Sequence, residues 1–460
     1  MRFFFLFTLL TCFTGLYFIT TSCNKKNFLS TKNLTFSADT VVFDTVFTSI
    51  GSTTKSFKIY NPESKSVQID EIELMGGENS PFRINVDGLI GDNFSNIRIE
   101  GNDSLFVFVE VTLSTNGQNL PLIVEDSIRF QTNGKDQFVK LAVWGQDAYF
   151  HYKDLNEGIW PNDKPHVIYG YAAVDSSKSL TIQAGTQVYL HKNALLYVYK
   201  STLNIQGTQG NEVVFQGDRL ELEYQDVSGQ YYGIYFHEAK SSTIDYALIK
   251  NGISGVHLYS DNPENSDYTL TMTNTIIQNE ARYGIFIYSG ARVKAENCMI
   301  AKNGTHALLV LEGGDFNFNH CNLLGYGASQ NPAVGISNFY VNYSIGSTIV
   351  SSINEGKFQN CIITGNLETE IAIDTIQMAG VNLNFDFSHN LIKSEEIYND
   401  VFYQNTIWNI NPLFTDIATN DFTFSTNSEL NSNGIVSTVV TDIFGNPRNN
   451  PPDIGAIEVN

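Results

Sequence analysis

The sequence is short of basic residues. It has 27 Lys and Arg against 48 Asp and Glu in 460 residues, which gives a formal net charge of −21. Proteins that bind nucleic acid need a basic surface to meet the phosphates, so this balance argues against a nucleic-acid partner. An acidic excess is otherwise typical of an extended surface that stays soluble.

Motifs for several kinds of chemistry are absent as well. The chain has no nucleophile elbow, P-loop, HExxH motif or dinucleotide-binding fingerprint. Its five cysteines form no CxxC metal site, and their positions do not suggest a disulfide framework. We therefore predict no metal and no cofactor, with Ca²⁺ expected only if the protein is a lyase that must neutralise a substrate carboxylate.

The first 22 residues have the pattern of a targeting segment. Arg2 precedes an apolar run from Phe3 to Ile19, and small residues lead to Cys23. The segment resembles a bacterial lipoprotein signal, although Thr20 stands where Leu is commonest; a plain secretory signal or a single anchor helix are the alternatives. The resemblance implies lipidation of Cys23, a membrane anchor and an outer-membrane location, with the periplasmic or surface face undecided.

Residues 34–148 are predicted to be all-β. Strand-like alternation occurs in Thr40–Phe47, Ser56–Tyr60 and Leu105–Val111, with turn residues between such segments. About seven short strands in this length favour an immunoglobulin-like sandwich. The order of the segments resembles bacterial Ig-like modules related to ASPM/SPD-2/Hydin domains, which are usually spacers.

The centre of the chain repeats a short unit. An apolar segment leads into a polar bend and then a triplet, and Thr275, Cys298 and Cys321 begin triplets at a spacing of 23 residues. Such a period indicates stacked supersecondary units, and short strands with tight bends suit a parallel β-helix. Six triplets are equivalent: Ala247–Ile249, Thr275–Ile277, Cys298–Ile300, Cys321–Leu323, Cys361–Ile363 and Asn390–Ile392. We expect the three repeat cysteines to be a stack of small core residues.

A second set of strands recurs in the same region, represented by Gly233–His237, Gly255–Tyr259, Gly284–Tyr288 and Ala307–Leu311. Alternation places every second residue of each strand inside and the others outside. The predicted outer rows are Tyr235, His257, Phe286 and Leu309, and beside them His237, Tyr259, Tyr288 and Leu311. Two acidic excursions, residues 217–231 and 260–268, interrupt the repeat near these rows, where loops tend to carry function.

The C-terminal block, including Asp453–Glu458, resembles the ending of many bacterial right-handed parallel β-helix surface proteins. With the other features it makes the chain similar to β-helix lipoproteins of the Bacteroidota type. The fold class expected is all-β: an Ig-like β-sandwich followed by a right-handed, pectate-lyase-like parallel β-helix with a C-terminal cap. The expected divisions are 1–22 signal, 23–33 tether, 34–148 sandwich, 149–165 connector, 166–410 β-helix and 411–460 cap.

The function predicted is non-catalytic binding or adhesion, in which the β-helix meets a polysaccharide or an envelope protein. Flat rings in a row can stack on sugar faces. The binding residues predicted are Tyr235, His237, His257, Tyr259, Phe286 and Tyr288. Loops or the N-terminal domain could instead cover the rows, which would leave a purely structural envelope protein.

A polysaccharide lyase or glycoside hydrolase is the competing hypothesis. A lyase needs a base and a cation, and a hydrolase needs two carboxylates about 5–10 Å apart. No motif fixes a pair, and we expect Asp218 and Arg219 to form a loop-anchoring ion pair. The candidates are Arg219, His237, His257, Arg282 and Lys294, and the carboxylates Asp218, Glu221, Glu223, Glu238, Asp261 and Asp267.

Overall fold

The computed structural model describes residues 29–30, 32–48, 51–115, 122–155, 158–176, 178–261, 267–344, 346–397 and 401–459. The predicted signal segment and the lipidation site Cys23 lie outside these residues. The chain divides into two compact units, Met1–Gln146 and Asp147–Asn460. Within the described residues, regular structure is β-strand apart from 3₁₀ turns at Gly77–Asn79 and Leu222–Tyr224. No helix in this part of the chain has the length and apolarity to span a bilayer.

The first unit is a sandwich of two five-stranded sheets. One sheet has the order β1-β3-β8-β5-β6 and is antiparallel; the other has the order β2-β10-β9-β4-β7, with β2 and β10 parallel. The strands are β1 Thr35–Phe36, β2 Thr40–Phe47, β3 Lys55–Asn61, β4 Val67–Leu74, β5 Phe82–Val86, β6 Leu89–Gly91, β7 Asn93–Ile99, β8 Asp103–Val111, β9 Leu122–Thr132 and β10 Lys135–Gln146.

Alternation along these strands buries one face of each sheet in a common core. Phe57 and Ile59 of β3, Val107 and Val109 of β8 and Phe130 of β9 belong to this core. The strand predicted over Leu105–Val111 is β8, which lies in the middle of its sheet. The sandwich has ten described strands where sequence analysis expected about seven, since short edge strands such as β1 and β6 carry little alternation.

The second unit is a right-handed parallel β-helix, whose rungs stack three columns of strands. We call the column with the recurrent Gly-Ile-Tyr-Phe pattern the aromatic column. It contains β16 Leu195–Tyr199, β19 Gly233–His237, β22 Ser254–Tyr259, β25 Tyr283–Tyr288, β28 His306–Leu311, β31 Val334–Ser337 and β36 Ile371–Asp374.

The triplet column holds the strands formed by the repeated triplets. It contains β15 Gln187–Leu190, β18 Val213–Gly217, β21 Ala247–Lys250, β24 Ile276–Gln278, β27 Met299–Ala301, β30 Asn322–Gly325, β35 Ile362–Gly365, β38 Leu391–Ile392 and β40 Ile407–Trp408.

The third column is a separate ten-stranded sheet. It contains β12 Ile159–Trp160, β14 Ser179–Gln183, β17 Thr202–Gln206, β20 Ser242–Asp245, β23 Leu270–Thr273, β26 Arg292–Glu296, β29 Asp315–Asn319, β34 Ile353–Gln359, β37 Leu383–Ser388 and β39 Tyr403–Gln404. Two antiparallel hairpins lie outside the columns, β32 Phe339–Asn342 with β33 Ser347–Val350 and β41 Phe414–Asp416 with β42 Asp421–Phe424.

The polar bends between the third and triplet columns are single residues in the left-handed region. Asn274, Asn297 and Asn360 have φ values of 49°, 53° and 55°, and His320 has 52°. Asparagine is the non-glycine residue that tolerates this conformation most readily, which explains why the repeat places it there. Each bend leads directly into a triplet, as the sequence predicted.

The core of the β-helix is a ladder of inward side chains. Ile234, Phe236, Ile285 and Ile287 are fully buried in it, as alternation predicted. The prediction that the three repeat cysteines are core residues is confirmed: Cys298, Cys321 and Cys361 are unbridged and fully buried. Burial raises the pKa of Cys298 and Cys321 well above the usual range, so these thiols are unreactive.

The prediction that residues 149–165 are a connector is wrong. Strand β11 (Tyr149–Asp154) pairs in parallel with β13 (His166–Val174), and β12 pairs with β14. The segment is therefore the first turn of the β-helix. Its strand β11 does not show regular alternation, because the register shifts between His151 and Lys153, and Lys153 has a φ of 69°. That irregularity breaks the alternation on which the prediction depended.

The C-terminal block is a cap, but it covers a flank of the solenoid instead of only its last rung. Phe422, Leu430 and Ile454 pack on outward side chains of the triplet column, which include Leu324 and Leu391. Backbone N–H groups of Ile435 and Ala456 donate to the side chains of Asn360 and Asn322, at 2.8 and 3.0 Å. The cap thus gives the outer face of the triplet column a second hydrophobic core.

Candidate functional site

The outer face of the aromatic column carries two rows of rings. In the first row Tyr197, Tyr235, His257 and Phe286 occupy successive rungs, and Leu309 follows. In the second row the order is Tyr199, His237, Tyr259, Tyr288 and Leu311. We call the eight ring-bearing residues of these two rows the aromatic strip. Strands stack at about 4.8 Å, so the strip is about 14 Å long over its four rungs.

The rings of the strip contact one another along its length. The centroid of His257 lies 4.4 Å from that of Tyr235 and 4.6 Å from that of Phe286, with interplanar angles of 20° in both pairs. In the second row the Tyr259 and Tyr288 centroids are 5.6 Å apart. The rings therefore form one continuous platform whose members support each other's orientation.

The side chains of the strip are half-buried, so the described residues of the 217–231 and 260–268 excursions do not hide them. The 217–231 excursion contacts the bends beside the strip: Asn251 and Asn279 donate to its Gln225 and Asp226 carbonyls at 2.8 and 2.9 Å. At the far end the Tyr340 ring of the β32–β33 hairpin meets Tyr288 edge-on at 6.5 Å. The described parts of the loops flank the platform.

His257 is a neutral ring in this platform. Its Nδ1 lies 2.7 Å from the Tyr232 hydroxyl, and its Nε2 is buried without a hydrogen-bond partner among the described residues. Burial, with a smaller effect from His237, lowers the pKa of His257 to about 4. A base whose free nitrogen is buried cannot reach a substrate proton. Tyr235 and Phe286 stack on the two sides of the His257 ring, so the geometry makes His257 a supporting member of the ring stack.

The phenols of Tyr235 and Tyr288 remain protonated at neutral pH. Burial raises the pKa of Tyr235 to about 12, with added repulsion from neighbouring tyrosines. Burial, and then the nearby Glu312 carboxylate, raises the pKa of Tyr288 to about 12. His237 Nδ1 lies 2.6 Å from the Tyr197 hydroxyl, which links the two rows. Neutral phenols can both donate and accept hydrogen bonds, which suits a ligand rich in hydroxyl groups.

Arg219, Glu221 and Asp218, which the sequence offered for catalysis, are engaged in side-chain contacts. Arg219 pairs with Glu221 at 3.1 Å and lies on the Tyr224 ring at 3.9 Å. The expected Arg219–Asp218 ion pair is therefore wrong, and Asp218 is 2.7 Å from His191 Nδ1 instead.

Two further charged candidates, Lys294 and Glu238, also have partners. Lys294 is in the third column, in a different sheet from His257, and pairs with Glu296 at 2.9 Å. Glu238 pairs with Lys200 at 2.8 Å. Within the described ranges no group of three or more His, Cys, Asp and Glu side chains is arranged to hold a metal ion.

A groove at the N-terminal end of the strip was missed by the sequence analysis. It has a volume of about 490 Å³ and is lined by Asp154, Tyr171, Ala173, Asp175, Leu195, Tyr197, Tyr199 and Tyr235. Tyr197 and Tyr199 extend the two rows by one rung. Their segment, Leu195–Tyr199, has the same alternation as the later strands but lacks the initial glycine by which those strands were aligned.

The likenesses between this chain and solved structures are weak. A family 123 glycoside hydrolase from Clostridium perfringens is 9% identical over 26% of this chain and 30% of its own, with a TM-score of 0.19. The PapD-like domain 7 of human CEP192 is 12% identical over 28% of this chain and 95% of its own, with a TM-score of 0.18. The Agl-KA catalytic domain is 11% identical over 74% of this chain and 80% of its own, with a TM-score of 0.15.

This chain covers 30% of that hydrolase and 54% of the E. coli chaperone DraB, so less than two thirds of either. At these TM-scores the likenesses have no bearing on function. No curated protein sequence matches the chain. A family model described as a right handed beta helix region matches residues 174–323, about a third of the sequence. The comparison agrees with the stacked parallel columns, and the second unit is a right-handed parallel β-helix.

Proposed function

We propose that this protein is a non-catalytic binding or adhesion protein of the cell envelope, whose aromatic strip binds a glycan. The observation that carries the proposal is the unbroken, half-exposed platform of rings from Tyr197 to Tyr288. Sugar rings have apolar faces that stack on aromatic side chains, and their hydroxyls can bond to neutral phenols. The lipid anchor at Cys23 and the outer-membrane location form part of the proposal and rest on the sequence alone.

The proposal favours binding over catalysis because several of the acid, base and cation candidates are engaged. His257 is stacked and neutral, Arg219 and Lys294 are paired, and Glu238 holds Lys200. A hydrolase needs two carboxylates facing one bond, and a lyase needs an available base and a cation. The contacts on the strip supply stacking surfaces and phenols, which bind a sugar without activating it.

A glycan array with the purified protein tests the proposal. We expect at least one glycan to bind, and Phe286→Ala to weaken that binding at least tenfold, because one ring of the contact surface is lost and its stacked neighbour His257 loses support. The matched control is Phe138→Ala, which removes an exposed ring of the sandwich and should leave binding unchanged. Failure to bind any glycan would contradict the carbohydrate proposal.

A turnover assay on the bound glycans separates binding from catalysis. We expect no release of reducing or unsaturated ends. His257→Phe keeps a stacked ring and removes the imidazole, so glycan affinity should stay within about threefold of the parent. Turnover in the parent that disappears in His257→Phe would replace the binding proposal with an enzyme.

A further inference from the structure

The first row of the strip has a gap at its N-terminal end. Asp154 of β11, Ala173 of β13 and Tyr197 of β16 are register partners on successive rungs, so all three belong to this row. The neighbours of Ala173 in its strand, Ala172 and Val174, are buried in the core, which places Ala173 on the outer face. Later rungs have a ring at this position, whereas Ala173 is small and only 5% exposed, so it forms the covered floor of the groove.

The residues around this gap form the walls of the groove. Tyr171 and Asp175 are two residues before and after Ala173, so they flank it on the same outer face. Asp154 stands on the rung before, and Tyr197 stands on the rung after. The groove volume of about 490 Å³ lies within the range of about 300–1,000 Å³ that is usual for small-molecule sites.

The lining combines aromatic faces with negative charge. Four tyrosines and two exposed carboxylates line the groove, and no basic side chain of the described residues is among the lining. Lysines close in sequence to the lining residues have partners of their own. Lys200 Nζ lies 5.3 Å from the Tyr199 centroid and pairs with Glu238, Lys153 Nζ lies 4.9 Å from the Tyr152 centroid, and Lys178 Nζ donates to the Leu155 carbonyl. The protein thus already places ammonium groups on rings at the margin of this groove.

We propose that the groove is a binding site for a ligand with an ammonium group. The cation would lie over Ala173, against Tyr171 and Tyr197, with Asp175 facing Tyr171 and Asp154 facing Tyr197 across the groove. Aromatic rings attract cations through their quadrupoles, and carboxylates add Coulomb attraction in a partly desolvated site. The same charges repel carboxylated or sulfated ligands. A free alkylamine and an amino sugar at the end of a glycan share this chemistry.

Calorimetry with choline and its uncharged isostere 3,3-dimethylbutan-1-ol tests the proposal. The two probes have the same shape, so only the charge differs. We expect choline to bind at least tenfold more tightly than the isostere, and the Asp154→Asn/Asp175→Asn double variant to lose at least tenfold in choline affinity. Asp386→Asn, an exposed carboxylate of the third column, is the matched control and should have no effect. Equal affinity for the two probes, or full affinity in the double variant, would overturn the proposal.

Ala173→Phe tests the geometry separately from the charge. The new ring continues the first row into the gap, so we expect choline binding to be lost while the β-sheet circular dichroism is retained. If this variant does not fold, the double carboxylate variant still decides the question. Unchanged choline affinity in folded Ala173→Phe would place the cation elsewhere and overturn the site.

A comparison of chitosan and chitin tetramers identifies the source of the ammonium group. They share a backbone, but only chitosan carries free amines. Tighter binding of chitosan than of both chitin and choline assigns the site to an amino sugar, whereas binding of choline alone assigns it to a free amine. The site does not depend on the strip binding a neutral glycan, because Phe286→Ala should leave choline affinity intact. Loss of choline binding in Phe286→Ala would contradict a separate groove.

Discussion

Two outer faces of the same β-helix are treated in opposite ways. The outer face of the triplet column presents Met299, Leu324 and Leu391, and the C-terminal cap packs over it with its own apolar side chains. The outer face of the aromatic column presents rings of similar apolarity and keeps them half-exposed. An apolar outer face is therefore not tolerated in general on this solenoid, and where it is left open the exposed patch indicates an interaction.

The polar groups differ in the same sense. Under the cap, Arg448 is 3% exposed and donates to Glu458, Asn297 and Gly455 at 2.8–3.2 Å. On the strip the hydrogen bonds, such as His257 to Tyr232, fix ring orientation and leave phenols at the surface. Under the cap the side chains are buried, whereas on the strip the rings are held in place but stay half-exposed. A surface that meets a ligand is expected to have these properties.

The largest expected loss of stability comes from a substitution on the face that the cap covers. Arg448→Met leaves Glu458, which is fully buried, without its cation, and removing one partner of a buried ion pair costs about 3–5 kcal/mol. We expect the β-helix transition in urea unfolding to move to lower denaturant by a corresponding amount. The matched control is Lys200→Met, which breaks an ion pair at the margin of the open face. An Arg448→Met midpoint equal to that of the control would show that the cap does not stabilise the solenoid.

The next prediction compares inner and outer residues of one strand. Ile287 is fully buried in the core, and its replacement by Ala should cost about 2–5 kcal/mol through lost burial and a cavity. Phe286, its neighbour on the outer face, is half-buried, and Phe286→Ala should cost roughly 1–2 kcal/mol. Glycan binding should respond in the reverse order, measured on the folded fraction. Equal effects of both changes on binding would contradict a ligand surface.

Low pH should reduce the stability of the β-helix through one histidine on each face. Burial lowers the pKa of His320, under the cap, to about 3, and that of His257 to about 4. Both stay neutral when folded, so stability is fully present above the unfolded value of about 6.5 and is lost as pH falls, at up to about 1.4 kcal/mol per pH unit for each group. His320 continues to lose stability below pH 4, where the loss from His257 ends.

Urea midpoints at pH 7, 5 and 3.5 measure this difference. His320→Asn is the matched variant, because Asn occupies the same left-handed bend in neighbouring rungs. It should flatten the decline between pH 7 and 3.5 more than His257→Phe does. An unchanged decline in both variants would show that other groups control acid unfolding.

The smallest effect is expected at the margin of the strip. Lys200 and Glu238 form an ion pair at 2.8 Å, and the lysine is exposed. Exposed pairs contribute little because water screens them, so Lys200→Met should leave the unfolding midpoint unchanged within error. Choline affinity should rise slightly, since a competing ammonium beside Tyr199 is removed. A marked fall in choline affinity would show that Lys200 helps to build the groove.

Side-chain alternation made the β-helix predictable. Each strand shows period two, so the inward Ile285 and Ile287 and the outward Phe286 followed from the sequence, as did the core position of Cys298. The bends were predictable from a second local pattern, since a polar residue, often Asn, recurs directly before the triplets. These features are local, and local patterns repeat visibly when the rungs repeat.

Features that depend on contacts between distant segments were not predictable. The cap was recognised as a cap, but its apolar residues do not reveal which face of the solenoid they cover. The first rung was read as a connector because the shift at Lys153 interrupts its period. The groove lies where Ala173 replaces a ring in the first row. The sequence does not show this, because Ala173 can be assigned to the row only when the pairing of β11, β13 and β16 is known.

The reach of the cap has a consequence for the order in which the molecule can be completed. Rungs contact their neighbours and can form as the chain is made, yet the Gln209 amide donates to the carbonyl of Phe444, 235 residues later. The flank around Leu324 and Leu391 is covered only after the last segment has been synthesised. A chain that is stalled or cut before that segment would form a solenoid with one exposed apolar face. Such a face would make it prone to aggregate with other incomplete chains.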